Sequence, residues 1–143
     1  MSIAVPTNQI INLQQIEATV SGPDGANRLY IVTGQIPMDC QIITPQNSWK
    51  DETYTTLIGP VFSRREFIRA TCSAALSGTT FWPQPAVQQV SWKITDSNAV
   101  WDDDAGQVKL IVGVNLSFVG TNGSAALNSV SFNAAILAEV SGN

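Results

Sequence analysis

The fold of this chain is decided by residues 108–140, which read VKLIVGVNLSFVGTNGSAALNSVSFNAAILAEV. Within residues 108–118 apolar side chains occupy every second position, and residues 130–140 repeat the same alternation. A period of two is that of a β-strand with one face in the core. The intervening residues 120–124 contain an Asn-Gly pair, which supplies the backbone conformation of a tight turn. The stretch therefore predicts a long two-stranded hairpin with one apolar face.

The rest of the chain repeats this pattern in shorter runs. We count about eight candidate strands, separated by segments rich in turn-forming residues. Such a series predicts an all-β protein folded as a two-sheet antiparallel β-sandwich. Both a jelly-roll and an immunoglobulin-like strand order fit it. We expect a single domain over residues 9–143, preceded by an irregular N-terminal arm over residues 1–8, in which Pro6 acts as a breaker.

Two segments carry mixed signals. Residues 9–20 (QIINLQQIEATV) change the parity of their apolar positions, which predicts a strand with a bulge near Gln14 and Gln15. Residues 63–78 begin with a Ser-x-x-Glu capping box, which favours a helix, and then alternate apolar and polar residues, which favours a strand. We favour the strand because the flanking chain is strand-like.

The composition excludes several kinds of partner. Only 13% of the 143 residues are charged, roughly half the usual fraction. Seven basic residues dispersed among eleven acidic ones give no surface for a phosphate backbone or an anionic membrane. We therefore expect no nucleic-acid or membrane partner. Such a composition has two common causes. One is an all-β domain with neutral polar outer faces, and the other is a subunit whose surface is covered by its neighbours, where charge would be costly to desolvate.

The equipment of a catalytic site is largely missing from the sequence. The chain has no histidine, which removes His-based triads and imidazole metal sites. No nucleophile stands beside a recognisable base, and there is no Gly-rich phosphate loop. We therefore expect no enzymatic activity and no cofactor. We interpret Cys40 and Cys72 as small core residues, although the sequence does not say whether they form a disulfide.

The acidic run Asp102, Asp103 and Asp104 is the densest charge in the chain. Adjacent carboxylates on a loop can bind calcium, which prefers oxygen ligands. The spacing of an EF-hand is absent, and an Asp-rich run between strands is more often a solvated turn. We expect the turn and keep the calcium site as the alternative.

Trp49 and Trp82 lie in loop-like segments beside amides, a lysine and prolines. Exposed aromatic side chains anchor subunits to each other, and in β-sandwich modules they stack on sugar rings. The two tryptophans are therefore candidate contacts to a protein partner or to a carbohydrate, and simple packing within the chain is the alternative.

The leading hypothesis is a non-catalytic structural subunit of a homo-oligomer or larger assembly, such as a capsid, tail, pilus-like or shell component. The apolar N-terminal arm supports it, because we expect that arm to add as a strand to a neighbour's sheet edge. The alternative is a carbohydrate-binding module or lectin that uses calcium. Met1 to Pro6 lack the basic and apolar segments of a secretory signal. We therefore expect a cytoplasmic protein, or one associated with a virion or another particle.

Overall fold

The computed structural model describes residues 2–22, 25–44, 48–82, 87–120 and 123–140 and contains eight β-strands in two sheets. The strands are β1 (Ser2–Ala4), β2 (Ile11–Gly22), β3 (Gly25–Thr44), β4 (Ser48–Ile58), β5 (Phe67–Trp82), β6 (Val87–Asp102), β7 (Gln107–Gly120) and β8 (Gly123–Glu139). Two short 3₁₀ turns, Thr7–Gln9 and Arg64–Glu66, are the only helical segments of the described residues. None of the described helical segments has the length and hydrophobicity needed to cross a membrane. The predicted two-sheet β-sandwich is confirmed.

Each sheet has four strands. Sheet I has the order β1-β4-β7-β6, and sheet II has the order β2-β3-β8-β5. All neighbouring pairs are antiparallel except β1 and β4, which are parallel. The long strands β3 and β8 form the centre of sheet II, and β4 and β7 form the centre of sheet I.

The predicted hairpin over residues 108–140 is wrong, because its two strands belong to different sheets. β7 lies between β4 and β6 in sheet I, and β8 lies between β3 and β5 in sheet II. Residues 121 and 122 of the predicted turn lie outside the described residues. The two strands instead face each other across the core. A period of two determines which side chains of a strand share a face. It does not determine whether another apolar strand pairs with that strand in a hairpin or covers its buried face from an opposing sheet.

The strand pairs are nested, since β3 pairs with β8 and β4 pairs with β7. This is the pairing of a long hairpin that has been rolled into two sheets, as in a jelly roll. In an immunoglobulin-like sandwich the last strand lies at the edge of its sheet. Here β8 lies between β3 and β5, so the strand order differs from the immunoglobulin-like one.

The core lies between the inner sides of the two sheets. The alternating residues of β7 are at most 1% exposed: Val108, Leu110, Val112, Val114, Leu116 and Phe118. Sheet II covers them with side chains that are equally buried, including Val32, Ile36, Leu127, Val130 and Ile136. Each fully buried aliphatic side chain contributes about 1.5–3 kcal/mol, so this double layer stabilises the fold more than any other feature. The predicted buried face of residues 108–140 is therefore confirmed.

The segment over residues 63–78 forms a strand, as predicted, and it also contains the capping-box contacts. The Glu66 carboxylate accepts hydrogen bonds from the hydroxyl of Ser63 at 2.8 Å and from its backbone N–H at 3.4 Å. These contacts hold only the 3₁₀ turn Arg64–Glu66, after which β5 begins at Phe67. The alternation of small apolar residues determines the rest, because β5 packs Ala70, Cys72 and Ala74 against the core, where they are partly buried.

The predicted bulge in β2 is confirmed, two residues earlier than expected. The register with β3 shifts between Ile11 and Gln14, and Asn12 has a positive φ of 53°. The extra residue lets Ile11, an odd position, share a face with the even position Ile16. The parity change in the sequence therefore has a structural cause.

The N-terminal arm forms a strand, as expected, but it adds to a sheet edge of its own chain and not to that of a neighbour. β1 pairs with residues 53–55 of β4, and the N–H of Val5 donates to the carbonyl of Thr55 at 2.8 Å. Ile10 is buried against β3, where Gly34 leaves room for it: a Cβ at Gly34 would lie 2.7 Å from Ile10 Cγ2. The arm therefore extends sheet I of its own chain.

Candidate functional site

The edge strand β2 is amphipathic in the opposite sense to the rest of the sandwich. On the side that faces sheet I, in the register of the buried Tyr30, β2 carries Gln15, Glu17, Thr19 and Ser21. On the outer side, in the register of Ile31, it carries Ile16, Ala18 and Val20. Every residue from 11 to 21 is exposed. An edge strand normally turns its apolar side to the core and its polar side to solvent. The reversed arrangement of β2 therefore marks its outer side as a candidate contact surface.

The outward residues of β2 continue into an apolar patch on the outer face of sheet II. The apolar patch consists of Ile16, Val20, Leu29, Ile31, Ala135 and Leu137, which lie side by side on β2, β3 and β8. Ile16 is 63% exposed and Val20 is 40% exposed, and the other four are half-buried. A shallow groove of about 270 Å³ crosses the patch and ends at Arg69 and Thr71 of β5. Contiguous apolar surface of this kind marks sites of protein interaction.

Between the patch and the register shift at Pro37, the outer face of sheet II is polar but uncharged. In the ladder of β3 with β8, the outward residues of this stretch are Thr33, Gln35, Asn133, Ser131 and Ser129. Charges lie at its ends, with Arg69 and Glu139 beside the patch and the exposed Asp39 after Pro37. Because neutral amides and hydroxyls are cheaper to desolvate than charges, the face can be covered by a partner at low cost.

The inner side of β2 is solvated, which accounts for its polar residues. A polar groove of about 380 Å³ separates it from the loop that contains Pro60 and Phe62. In that groove Glu17 forms an ion pair with Arg28 at 3.5 Å, and both side chains are about half exposed. β1, the edge strand of sheet I, has only three residues and covers little of β2. The inner side is thus wet and charged, and the outer side is apolar.

Trp49 lies on the outer face of sheet I and is 69% exposed. It is in register with Ser117, and the next outward row holds Asp51 opposite Asn115. The Asn115 amide donates to the Asp51 carboxylate at 2.7 Å, and the Ser117 hydroxyl donates to the Asn115 carbonyl oxygen at 2.9 Å. An exposed indole beside a polar network is a surface on which a sugar ring can stack.

Trp82 lies on the opposite side of the sandwich. It ends β5, is 55% exposed and shares a row with Ser124 and Ile43, which is 76% exposed. The neighbours of Trp82 in this row are one aliphatic side chain and one serine, whereas Trp49 lies beside the hydrogen-bonded Asp51, Asn115 and Ser117. The two candidate tryptophans therefore do not form one platform, since they lie on the outer faces of different sheets.

The acidic run forms a turn, and its carboxylates point to different partners. Asp102 accepts a hydrogen bond from the N–H of Ala105 at 3.0 Å and pairs with Lys109 at 3.5 Å. Asp103 accepts from the indole N–H of Trp101 at 2.8 Å. Among the described residues, no three carboxylate, thiol or imidazole groups come together to hold a metal ion. The geometry gives the calcium site over Asp102, Asp103 and Asp104 no support.

The buried polar groups lack the activation that a nucleophile needs. Both cysteines are free thiols, and burial raises the pKa of Cys40 to about 11, with a smaller contribution from Glu52. Burial also raises the pKa of Tyr54, whose hydroxyl donates to Glu52. A thiol with so high a pKa is protonated at neutral pH and is a poor nucleophile.

The sequence does not reveal that the patch faces outward. The parity of residues 16–20 predicts that Ile16, Ala18 and Val20 share one face of a strand, and the structure confirms this. An apolar set that faces the core with Glu17 facing solvent is the usual arrangement of an edge strand, so no local signal indicates the reversal.

Comparison with protein-family models, with curated proteins and with solved structures gives no match.

Proposed function

We propose that this protein is a non-catalytic structural subunit that assembles with further copies of itself, as in a capsid, tail, pilus-like or shell structure. The observation that carries this proposal is the reversed amphipathicity of β2, which turns Ile16 and Val20 away from the core of their own chain. Burying an exposed aliphatic side chain of this size contributes about 1.5–3 kcal/mol.

The outer face of sheet II is large enough for a stable interface. Four strands at a spacing of about 4.8 Å are roughly 19 Å wide, and about 3.3 Å per residue makes the ladder of β3 with β8, from Asn27 to Thr44, roughly 55 Å long. Such a face offers on the order of 1,000 Å², whereas a standard interface buries about 800 Å² on each partner. A second copy that covers most of this face would bury the whole apolar patch.

The experiment compares two valines that differ in little except the sheet to which they belong. Val20 is 40% exposed on the edge strand β2, and Val100 is 39% exposed on the edge strand β6, on the outer face of sheet I. We expect the wild-type chain and Val100→Lys to have the same mass above that of a monomer by light scattering, and Val20→Lys to be smaller. A monomeric wild-type chain at all concentrations would contradict the proposal.

A second candidate function, carbohydrate binding, is favoured by the surroundings of Trp49. The hydrogen-bonded Asp51, Asn115 and Ser117 lie beside it and offer donors and acceptors at the edge of an exposed indole. Trp82 serves as the matched control because it is an exposed tryptophan on the outer face of the other sheet. Binding on a glycan array that is lost in Trp49→Ala and kept in Trp82→Ala would support this function, and the absence of any glycan binding would dismiss it.

A further inference from the structure

In the part of the chain that the structure describes, β2 pairs with a strand on one side only, and its other edge lacks the usual protection against pairing with another strand. Proteins usually protect an exposed edge with lysine, proline, a bulge or a very short strand. Residues 14–21 of β2 read QQIEATVS, which contains no lysine and no proline and has Glu17 as its single charge. The bulge near Asn12 lies before this segment, and from Gln14 to Gly22 the register with β3 is regular. A straight, exposed edge of nine residues is therefore available.

The sequence of this edge is self-complementary around Ala18. In an antiparallel pair of identical strands related by a two-fold axis, directly opposite residues lie on the same face. With the axis at Ala18, Ile16 of each copy lies opposite Val20 of the other, and Ala18 lies opposite its own copy. On the polar side Glu17 lies opposite Thr19. Every apolar residue then meets an apolar one, and no charge meets a like charge.

Neighbouring registers fit less well. With the axis at Glu17 the two carboxylates lie directly opposite each other, which is destabilising, and Val20 lies opposite Gln14. With the axis at Thr19, Ile16 lies opposite Gly22 and loses its apolar neighbour. With the axis at Ile16 the pairing runs into the bulge at Asn12. The register at Ala18 is the one that the residues of β2 favour.

We propose that a second copy of this chain pairs antiparallel with β2 across a two-fold axis at Ala18, and that the two copies of sheet II become one continuous eight-stranded sheet. This inference rests on the proposed function and names the contact that begins the assembly. It brings the two apolar patches side by side on one face, because Ile16 of one copy adjoins Val20 of the other. The doubled patch remains open to further copies, so the pair is the building block of the assembly.

Disulfide trapping tests this contact. Directly opposite residues of adjacent strands have Cα atoms about 4.5–5.5 Å apart, within the range that a disulfide spans. Cys72 is replaced by serine in all test variants so that it cannot form a cross-link. Cys40 is kept because it is fully buried. In this background we expect Ala18→Cys to give a covalent dimer under mild oxidation. The control is Ala135→Cys, on the same outer face but on the central strand β8, and we expect it to stay uncross-linked.

The register has its own test. Mixing an Ile16→Cys chain with a Val20→Cys chain is expected to give a cross-linked heterodimer in higher yield than either chain alone. Circular dichroism identifies any variant that fails to fold, and the mixed pair still tests the contact if Ala18→Cys is such a variant.

The outcomes separate this inference from the proposed function. A cross-link at residue 135 with none at residue 18 would overturn the edge pairing in favour of face-to-face packing, and the structural function would stand. An oligomer that cross-links at neither residue would also overturn the edge pairing alone. A chain that is monomeric at every concentration would overturn both.

Discussion

The outer faces of the two sheets occupy equivalent places in the fold, but their outward side chains make different contacts. On sheet I several outward polar side chains bond to each other, as Asn115 does with Asp51 and Lys109 does with Asp102. On sheet II the outward side chains over the patch are aliphatic, and the chain leaves 63% of Ile16 and 40% of Val20 exposed to solvent. The comparison teaches that alternation along a strand determines which side chains point outward, whereas the polarity of those side chains determines whether they suit solvent or a partner.

The largest effect is expected from a charge placed at the centre of each face. Ile31 of β3 and Ile111 of β7 are both half-buried outward isoleucines on strands in the interior of their sheets. We expect Ile31→Glu to weaken self-association by about 10- to 100-fold, because at least 1.5–3 kcal/mol of apolar burial is lost. Ile111→Glu should leave association unchanged. Sedimentation velocity over a dilution series measures both, and equal effects of the two variants would show that the faces do not differ.

A smaller effect is expected from the polar network of sheet I. Asn115→Ala removes the hydrogen bond to Asp51, so we expect the free energy of unfolding to fall by about 0.5–1.5 kcal/mol with no change in oligomeric mass. Asn133 of β8 is the matched control, since it is an outward asparagine for which no side-chain hydrogen bond is found among the described residues. Asn133→Ala should change stability by less than about 0.5 kcal/mol in urea unfolding. A larger loss of stability in Asn133→Ala than in Asn115→Ala would contradict the conclusion that the hydrogen-bonded polar side chains lie on sheet I.

The smallest effect is a pH dependence at the margin of sheet I. The N–H of Ala105 and the ammonium of Lys109 lower the pKa of Asp102 from its ordinary value of 3.8. Because the pKa of Asp102 is lower in the folded chain than in the unfolded chain, its ionised carboxylate stabilises the fold above about pH 4. This stabilisation is lost as the pH falls through the folded pKa. We expect Asp102→Asn to be less stable than wild type at pH 7 and the difference to shrink at pH 3. A difference that is constant with pH, measured by urea unfolding, would contradict this.

The sequence predicts the layers of this fold better than their connections. Residues 108–118 and 130–138 were correctly assigned to buried strand faces because alternation is a local property of the chain. Their assignment to one hairpin was wrong because the choice between pairing within a sheet and packing across the core depends on strands far away in sequence, such as β3 and β4.

The candidate surface was only partly predictable for a related reason. The apolar set of β2 is visible in the sequence, but the short β1 opposite it, which leaves its inner side wet, is not. The arm that forms β1 was expected to reach a neighbour. β1 pairs instead with residues 53–55 of its own chain, which are far away in sequence, and no local pattern links the two segments.

The central position of β8 has a consequence for the order in which the protein can form. β8 is the last strand of the sandwich to leave the ribosome, yet it separates β3 from β5 and supplies the middle of sheet II. Until it arrives, both of those strands present unpaired edges and the inner side of β7 lacks its cover. Because the sheet closes only through contacts between residues distant in sequence, folding should be slow, and nascent chains that stop before Gly123 should be the species most prone to aggregate.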